Sequence, residues 1–336
     1  ALHISQVLQT TPYEVYTSIL VRKGSQGNLS CTMPLIESSI HFTKTQVDHF
    51  VKDKLNLELF TIQEPCQQNL DYLNQIIEAF LNKIPFHNFT FMSQPPEKRT
   101  LPTIPEVIGS VLSGEGGLCW TNNTALFFIL EALGFSVYMV NASVNQRGAN
   151  NHVIVMAENV VETGDTYLVE AGLGHPSFCA VNLDFQEESE TISASFNTYK
   201  YVKRGEEFIR LNKTSRSMKR YPLVEGDWSL VCFFKLEKLN FEEIQSIMKK
   251  SYDNPEFGFR KCLRAVSFKN HIATAMKTEE GKEVVTLQEN SKKNLELLKK
   301  YDMLTEKEEL GKHLNELFPM VPVAAINMAI ENFIKL

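Results

Sequence analysis

Apolar positions recur at spacings of three and four through the first third of the chain, the signature of helices that bury one face. Val47, Phe50, Val51 and Leu55 stripe a helix that begins near Thr45. Leu70, Leu73, Ile77, Phe80, Leu81 and Ile84 stripe a stronger one, which Pro85 stops. A loop with Pro95 and Pro96 leads to a short helix around Pro105 to Leu112. Gly114, Gly116 and Gly117 then break the chain before an apolar helix from about Trp120 to Leu133, ended by Gly134. Beyond Gly134 the pattern shifts to short β-branched and aromatic runs separated by polar turns: Val137 to Val140, Val153 to Met156 and Tyr167 to Val169. Residues 198–211 and 229–237 continue the strands after a polar loop from Gln186 to Ser195. A helix over Phe241 to Lys250, strands from Cys262 to Leu287, and helices over 290–301, 305–317 and 322–335 complete the chain. Upstream, Tyr16 to Val21 reads as a strand followed by a turn through Gly24 and Gly27. There is no internal repeat.

Composition narrows the function classes. At 336 residues the chain is long enough for two or three domains around a large core, and 43% hydrophobic with 22% charged residues is ordinary for globular proteins. A net charge of −6 with scattered basic residues argues against nucleic acid as the main partner, because phosphate binding needs a concentrated basic surface. No apolar run approaches the roughly 20 residues that span a bilayer, so no membrane association is expected. Cys31, Cys66, Cys119, Cys179, Cys232 and Cys262 are far apart and form no CxxC pair, which suits buried thiols better than a disulfide scaffold or a metal site. Sequons at Asn28, Asn88, Asn122, Asn141 and Asn212 exceed the about three that chance supplies only slightly. A cytoplasmic location is expected, with secretion left open.

Three residues stand out for their positions. Cys119 follows the glycine-rich break and opens the apolar helix, where the positive end of the helix dipole stabilises a thiolate. His152 begins the strand Val153 to Met156, and Glu170 ends the strand Tyr167 to Val169 before Ala171-Gly172-Leu173-Gly174. Singly, each has a bland reading: a buried structural thiol, a solvated strand-end histidine, a turn carboxylate. Together they give the order Cys, His, carboxylate, each at an element boundary. A thiol needs an imidazole to become thiolate at neutral pH, and the imidazole needs a carboxylate to orient it.

Four motifs resemble those of the arylamine N-acetyltransferases, over about residues 40–290. Ile84-Pro85-Phe86-His87-Asn88-Phe89 is similar to Ile-Pro-Phe-Glu-Asn-Leu, and Glu115-Gly116-Gly117-Leu118-Cys119 to Arg-Gly-Gly-x-Cys, with Asn123 matching the asparagine four positions on. Asn151-His152-Val153 resembles the family's histidine segment, and Tyr167 to Gly174 its Tyr-x-Val-Asp-x-Gly-Phe-Gly. The resemblance implies an α+β fold. Its expected parts are an N-terminal extension (1–40), a helical domain carrying the nucleophile (41–134), a β-barrel domain carrying His152 and Glu170 (135–228), an α/β lid (229–290) and a helical C-terminal extension (291–336). It also implies a Cys119-His152-Glu170 acyltransferase working by ping-pong chemistry. Acetyl-CoA or another acyl-CoA would be the co-substrate, held at Gly148, Ala149, Asn150 and Asn151, and a small-molecule amine would lie against Phe86 and Leu173. No metal is expected, and the oligomeric state is not read.

The chain also departs from those motifs. His87 stands for the signature glutamate, Glu115 for the arginine, Glu170 for the aspartate and Leu173 for an aromatic residue. A carboxylate beside a thiolate weakens it, so the glycine pair is expected to turn Glu115 toward a basic partner or solvent. Two alternatives stay open: a catalytically retired member that binds a small molecule or partner, and a cysteine hydrolase or transglutaminase-like enzyme.

Overall fold

The computed structural model describes residues 42–195, 197–213, 223–278, 284–290 and 295–336. The chain divides into two units, Ala1–Ser38 and Ser39–Leu336, and every described residue belongs to the second. The strand expected over Tyr16 to Val21, its turn and the N-terminal extension lie outside the described residues.

Local sequence sets the helix boundaries. Helix α1 (Lys44–His49) starts at Thr43, whose side chain and that of Gln46 cap each other's backbone amides, and it runs on into a π-helical turn, Phe50–Lys54. Helix α2 (Gln67–Lys83) ends where Pro85 forces Ile84 into extended backbone. The short strand β1 (Phe86–His87) and helix α3 (Phe89–Ser93) follow. Helix α4 (Ile104–Ser113) has a Thr103–Glu106 capping box and ends on left-handed Gly114. Helix α5 (Cys119–Leu133) is buried on almost every side, which is why its sequence is apolar all round instead of striped.

Eight strands, β2 (Ser136–Val144), β3 (His152–Glu158), β4 (Thr166–Val169), β5 (Val181–Asn182), β6 (Ile192–Ala194), β7 (Asn197–Arg204), β8 (Glu207–Lys213) and β10 (Trp228–Lys235), form one antiparallel sheet in the order β5-β4-β3-β2-β10-β8-β7-β6, with β9 (Val224–Glu225) pairing off β10. Strand β10, at the start of the segment expected to be a lid, thus completes this sheet between β2 and β8. Helix α6 (Phe241–Asp253) leads to the second sheet, β1-β11-β12-β13-β14, built from β11 (Arg264–Lys269), β12 (Ile272–Thr278), β13 (Val284–Asn290) and β14 (Leu295–Asp302). Helices α7 (Lys307–Leu317) and α8 (Val323–Ile334) close the chain, and α8 packs on α3.

One element is a correction. The helix expected over 290–301 is strand β14, paired antiparallel with β13 across a register shift between Leu287 and Gln288. Leu, Lys and Glu give this stretch a helical propensity of a few tenths of a kcal/mol per residue, and pairing along β13 overrides it.

The site lies where the two halves of the pattern meet. Helix α5 packs against β2 and β3, so the first turn of the apolar helix faces the ends of β3 and β4.

Candidate active site

The glycine-rich break is shaped by the signature segment beside it. The Gly117 amide donates to the Pro85 carbonyl (3.3 Å) and the His87 amide to the Gly117 carbonyl (3.1 Å). Asn122 Nδ2, in the first turn of α5, donates to the same Pro85 oxygen at 3.2 Å. Gly116 has φ +75°, and a Cβ there would stand 2.1 Å from that oxygen, so no other residue fits without moving the backbone. The break therefore hangs the start of α5 on the Ile84-Pro85-Phe86 segment. That places Cys119 at the first helical position.

The structure brings Cys119, His152 and Glu170 together, all nearly inaccessible at 3%, 2% and 2% exposure. His152 Nε2–H donates to Glu170 Oε2 at 2.6 Å. That leaves Nδ1 for the sulfur. Burial alone would lower the imidazole pKa, but the Glu170 charge and hydrogen bonds with Cys119 and Glu170 outweigh it and push His152 up to about 10. Burial likewise works to raise the Glu170 carboxyl, and the His152 charge overcomes it, so Glu170 is held below the usual carboxylate range. Each charge favours the other, holding the pair toward imidazolium and carboxylate. The Cys119 sulfur also lies 3.8 Å from the Asn151 carbonyl oxygen, next in sequence to His152.

Glu170 is fixed from its other side. Its Oε1 accepts from Asn123 Nδ2 at 2.8 Å and from the Gly172 amide at 2.7 Å. Asn123 also donates to the Val153 carbonyl at 2.6 Å and accepts from the Ala171 amide at 2.9 Å. One fully buried side chain thus ties α5, β3 and the loop after β4 into one frame. Sequence reasoning gave Asn123 no role, although its place one helical turn after Cys119 puts both on one face. Gly172 passes so close to the start of α5 that a Cβ there would come within 2.8 Å of the Cys119 Cα.

Phe86 is buried in β1, its ring edge-on to Phe259 with centroids 5.7 Å apart. Gly174 lies against that ring, at a distance where a Cβ would meet it at 3.0 Å. Leu173 is buried between Gly172, which touches Cys119, and Gly174, which touches Phe86. The two residues expected to line an acceptor site are thus linked through Gly174, on a loop whose Gly172 packs against the Cys119 backbone. The loop Gly148-Ala149-Asn150-Asn151 joins β2 to β3 beside the site, with Gly148 and Asn150 at positive φ. The Ala149 amide donates to the Gln146 carbonyl at 3.2 Å and the Asn150 amide to Ser143 Oγ at 3.0 Å. Two of the four loop amides are thus already engaged within the chain.

Glu115 requires a correction. Expected to face a basic partner or solvent, it is buried, and its Oε1 accepts from Thr90 Oγ1 at 2.5 Å. Burial raises its carboxyl above the usual range, more than the Thr90 hydrogen bond lowers it. The glycine pair does turn the carboxylate away from Cys119, into the protein instead of out of it. His87 is the adjoining departure: its Nδ1 accepts from the Phe89 amide at 3.1 Å, so Nε2–H donates to the Glu115 backbone oxygen at 2.9 Å. Burial holds this histidine neutral, pushing it down to about 4 against that hydrogen bond.

The sequons are also corrected by burial. Asn88, Asn122 and Asn212 are 1%, 0% and 0% exposed and closed to glycosylation in the folded chain. Among the described residues, no helix is long and apolar enough to cross a membrane.

A Cys-His-carboxylate cluster at a helix start, beside a nine-stranded antiparallel sheet, defines a class of cysteine-dependent transferases and hydrolases. Comparison with known proteins narrows it. A family model described as N-acetyltransferase matches residues 69–321. The chain belongs to this family, the arylamine N-acetyltransferases. The pineal gland isozyme NAT-10 of arylamine N-acetyltransferase from Gallus gallus is 30% identical over 110 residues, 32% of this chain and 37% of that protein. The match thus spans little more than a third of that relative. The arylamine N-acetyltransferase of Mycobacterium abscessus shares the fold with a TM-score of 0.66 at 16% identity, covering 87% of this chain and 95% of that one. That of Mycobacterium marinum, solved in complex with CoA, superposes with a TM-score of 0.63 at 16% identity over 83% and 96% of the two chains. The shared fold is one of mixed helices and a curled, half-barrel sheet.

Proposed function

We propose that this chain moves an acetyl or other acyl group from a CoA thioester to a small aromatic amine through an acyl-enzyme on Cys119. The observation that carries the reading is the buried 2.6 Å bond from His152 to Glu170, which leaves the second ring nitrogen for the Cys119 sulfur. The thiolate attacks the thioester carbonyl carbon, the C–S bond to CoA breaks, and the departing thiolate takes a proton from the His152 imidazolium. The amine nitrogen then attacks the acyl-cysteine while His152 removes its proton, and the Cys119 thiolate leaves. Glu170 keeps the imidazole in the tautomer that both steps need.

For the donor, the Mycobacterium marinum relative was solved with CoA, and the loop Gly148 to Asn151 is the segment proposed here to receive it. Because the Ala149 and Asn150 amides are engaged, phosphate contact falls to the rest of the loop and to Arg147. The Arg147 side chain is 57% exposed, pairing with Glu207 at 3.0 Å. Phe86 and Leu173 are proposed to flank the amine.

A second reading has an observation of its own. Cys119 is only 3% exposed, as a retired member that binds without turnover would allow. Intact-mass measurement after mixing with acetyl-CoA decides between them: a single acetyl adduct that Cys119→Ala abolishes, and that an arylamine discharges, supports the transferase. No adduct, together with no labelling of Cys119 by iodoacetamide at neutral pH, would establish the retired reading. Discharge by water at the same rate as by amine would make it a hydrolase.

A further inference from the structure

Arg210 stands inside the large sheet. Residues paired across antiparallel strands present their side chains to the same face, so register traces that face from strand to strand. His152 pairs with Ala142 and Ala142 with Phe234, while Cys232, two positions before Phe234, pairs with Arg210. The face that carries His152 on β3 is therefore the face that carries Arg210 on β8. Arg210 is fully buried, and among the described residues its hydrogen bonds go to neutral oxygens. Nε donates to Asn212 Oδ1 at 3.0 Å, Nη1 to Ser177 Oγ at 2.7 Å and the Tyr201 hydroxyl at 3.3 Å, and Nη2 to the Pro176 carbonyl at 3.4 Å. The Tyr199 ring lies across the guanidinium, its centroid 3.9 Å from the central carbon. Burying a guanidinium without a carboxylate costs stability that leucine or methionine there would not. Neither of those side chains could hold a loop.

Two of the four bonds leave the strands for the loop after β4. Pro176 and Ser177 stand six and seven positions after Glu170. At its start the same loop is held by Asn123, which accepts from the Ala171 amide at 2.9 Å, and by the Gly172 amide on Glu170 at 2.7 Å. Beyond Ser177, Phe178 leaves the first sheet and stacks on His271 of the second, with centroids 4.1 Å apart. Arg210 is thus the grip that the first sheet keeps on the loop between the triad carboxylate and Phe178. The segment between the two grips contains Leu173 and two glycines, of which Gly174 has φ +70° and lies against the Phe86 ring. Glycines leave such a segment free to move, so the place of Leu173 depends on both ends being held.

We propose that Arg210 is a positioning residue for the amine half of the reaction: through Pro176 and Ser177 it sets where Leu173 and Gly174 stand against Phe86, the wall proposed to flank the acceptor. The proposal rests on the acyl-enzyme reading of Cys119. The guanidinium acts through the loop and touches neither the sulfur nor the triad. Glu170 is fixed at the other end by His152, Asn123 and the Gly172 amide, so loosening the Arg210 grip leaves the groups that form the acyl-enzyme in place. The acceptor step is the one that feels it.

The test separates the two half-reactions in the full chain. Acetyl-enzyme is formed with acetyl-CoA, freed of excess donor by desalting, and followed by intact mass while p-anisidine, or water alone, discharges it. In Ser177→Ala the ratio of discharge by amine to discharge by water is expected to fall about tenfold, the lower end for losing a charge-assisted hydrogen bond. The half-saturating amine concentration rises with it, and acetyl adduct formation keeps close to the native rate. Ser177→Thr, which retains the hydroxyl oxygen, is expected to restore the ratio. Arg210→Lys, which keeps the charge without the planar fork, is expected to lower it as Ser177→Ala does. Melting temperature falls on any loss at so buried a place, so the ratio decides. A merely structural Arg210 would leave the ratio unchanged or slow both half-reactions together, and either result in a folded Ser177→Ala overturns the proposal. Should Arg210→Lys fold poorly, the two Ser177 variants carry the test. A native chain that forms no acetyl adduct would instead overturn the acyl-enzyme reading beneath it.

Discussion

Glu170→Gln isolates charge from shape at the centre of the site. The amide is nearly the size of the carboxylate, but its two ends differ, and the surroundings choose which faces where. Glu170 Oε1 accepts from Asn123 Nδ2 and the Gly172 amide. The glutamine oxygen must take that place, because an NH2 group there would meet two donors. Its NH2 then faces His152 Nε2 and requires that nitrogen to accept. The imidazole proton moves to Nδ1, so the nitrogen left for Cys119 can no longer take a proton from the thiol. The rise of His152 from 6.5 to about 10 represents on the order of 5 kcal/mol in favour of imidazolium, with the Glu170 charge its largest support against burial. Losing it removes the main support of the imidazolium. Wrong tautomer and lost charge together are expected to slow acetyl adduct formation by about 10³–10⁴-fold, the scale of an aspartate-to-asparagine change in a serine protease triad. The assay is stopped-flow or quenched-flow mass measurement of the adduct, with thermal melting as the control for folding. Acylation within about tenfold of native in a well-folded variant would show that the Glu170 charge does not organise this histidine.

Other substitutions probe the remaining supports. Cys119→Ala is expected to form no acetyl adduct while changing stability by about 1 kcal/mol or less, as a small thiol leaves a small cavity; adduct formation elsewhere on the chain would remove Cys119 from the mechanism. Asn123→Ala strands the Ala171 amide and weakens the hold on Glu170, so a loss of roughly 2–4 kcal/mol by urea unfolding is expected, with slowed acylation; a stable variant would mean that water replaces the amide. Glu115→Gln is expected to stabilise the chain at pH 7. Burial raises the Glu115 carboxyl, so the folded chain keeps a proton that the unfolded chain releases above about 4.5, and stability from this group falls as pH rises from there through the folded value. The gain in melting temperature should therefore shrink toward pH 4, and a gain independent of pH would refute burial as its cause.

Much of this architecture is legible in the sequence because local rules and tertiary packing agree. The α2 stripe ends at Pro85, the glycine break opens α5, and the β-branched runs become β2, β3 and β4, each for the reason that made it readable. Where they disagree, reading fails. The segment that becomes β14 has the composition of a helix, and only β13 alongside makes it a strand. The site divides in the same way. Cys119, His152 and Glu170 stand at element boundaries in motifs, so their chemistry suggests their meeting. Asn123 hides inside an apolar helix and shows its purpose only once β3 and the loop after β4 are packed around it.

Glu115 and His87 show how far two departures can be judged apart from each other. Read singly, a carboxylate four residues before the nucleophile threatens the thiolate, and a histidine in place of the signature glutamate removes a charge. In the fold they are neighbours, joined through His87 Nε2 and the Glu115 carbonyl. The two motif positions that carry a carboxylate and a guanidinium in the family signature carry an imidazole and a carboxyl here. Burial keeps the imidazole neutral and pushes the carboxyl toward its neutral form, and Thr90 satisfies whatever charge remains. The bond from His87 to the Glu115 backbone oxygen sits beside the Pro85–Gly117 contact on which α5 hangs. The proposed partners of Cys119 are His152 and, behind it, Glu170. These two departures thus fall on the scaffold that positions Cys119, away from the His152–Glu170 pair.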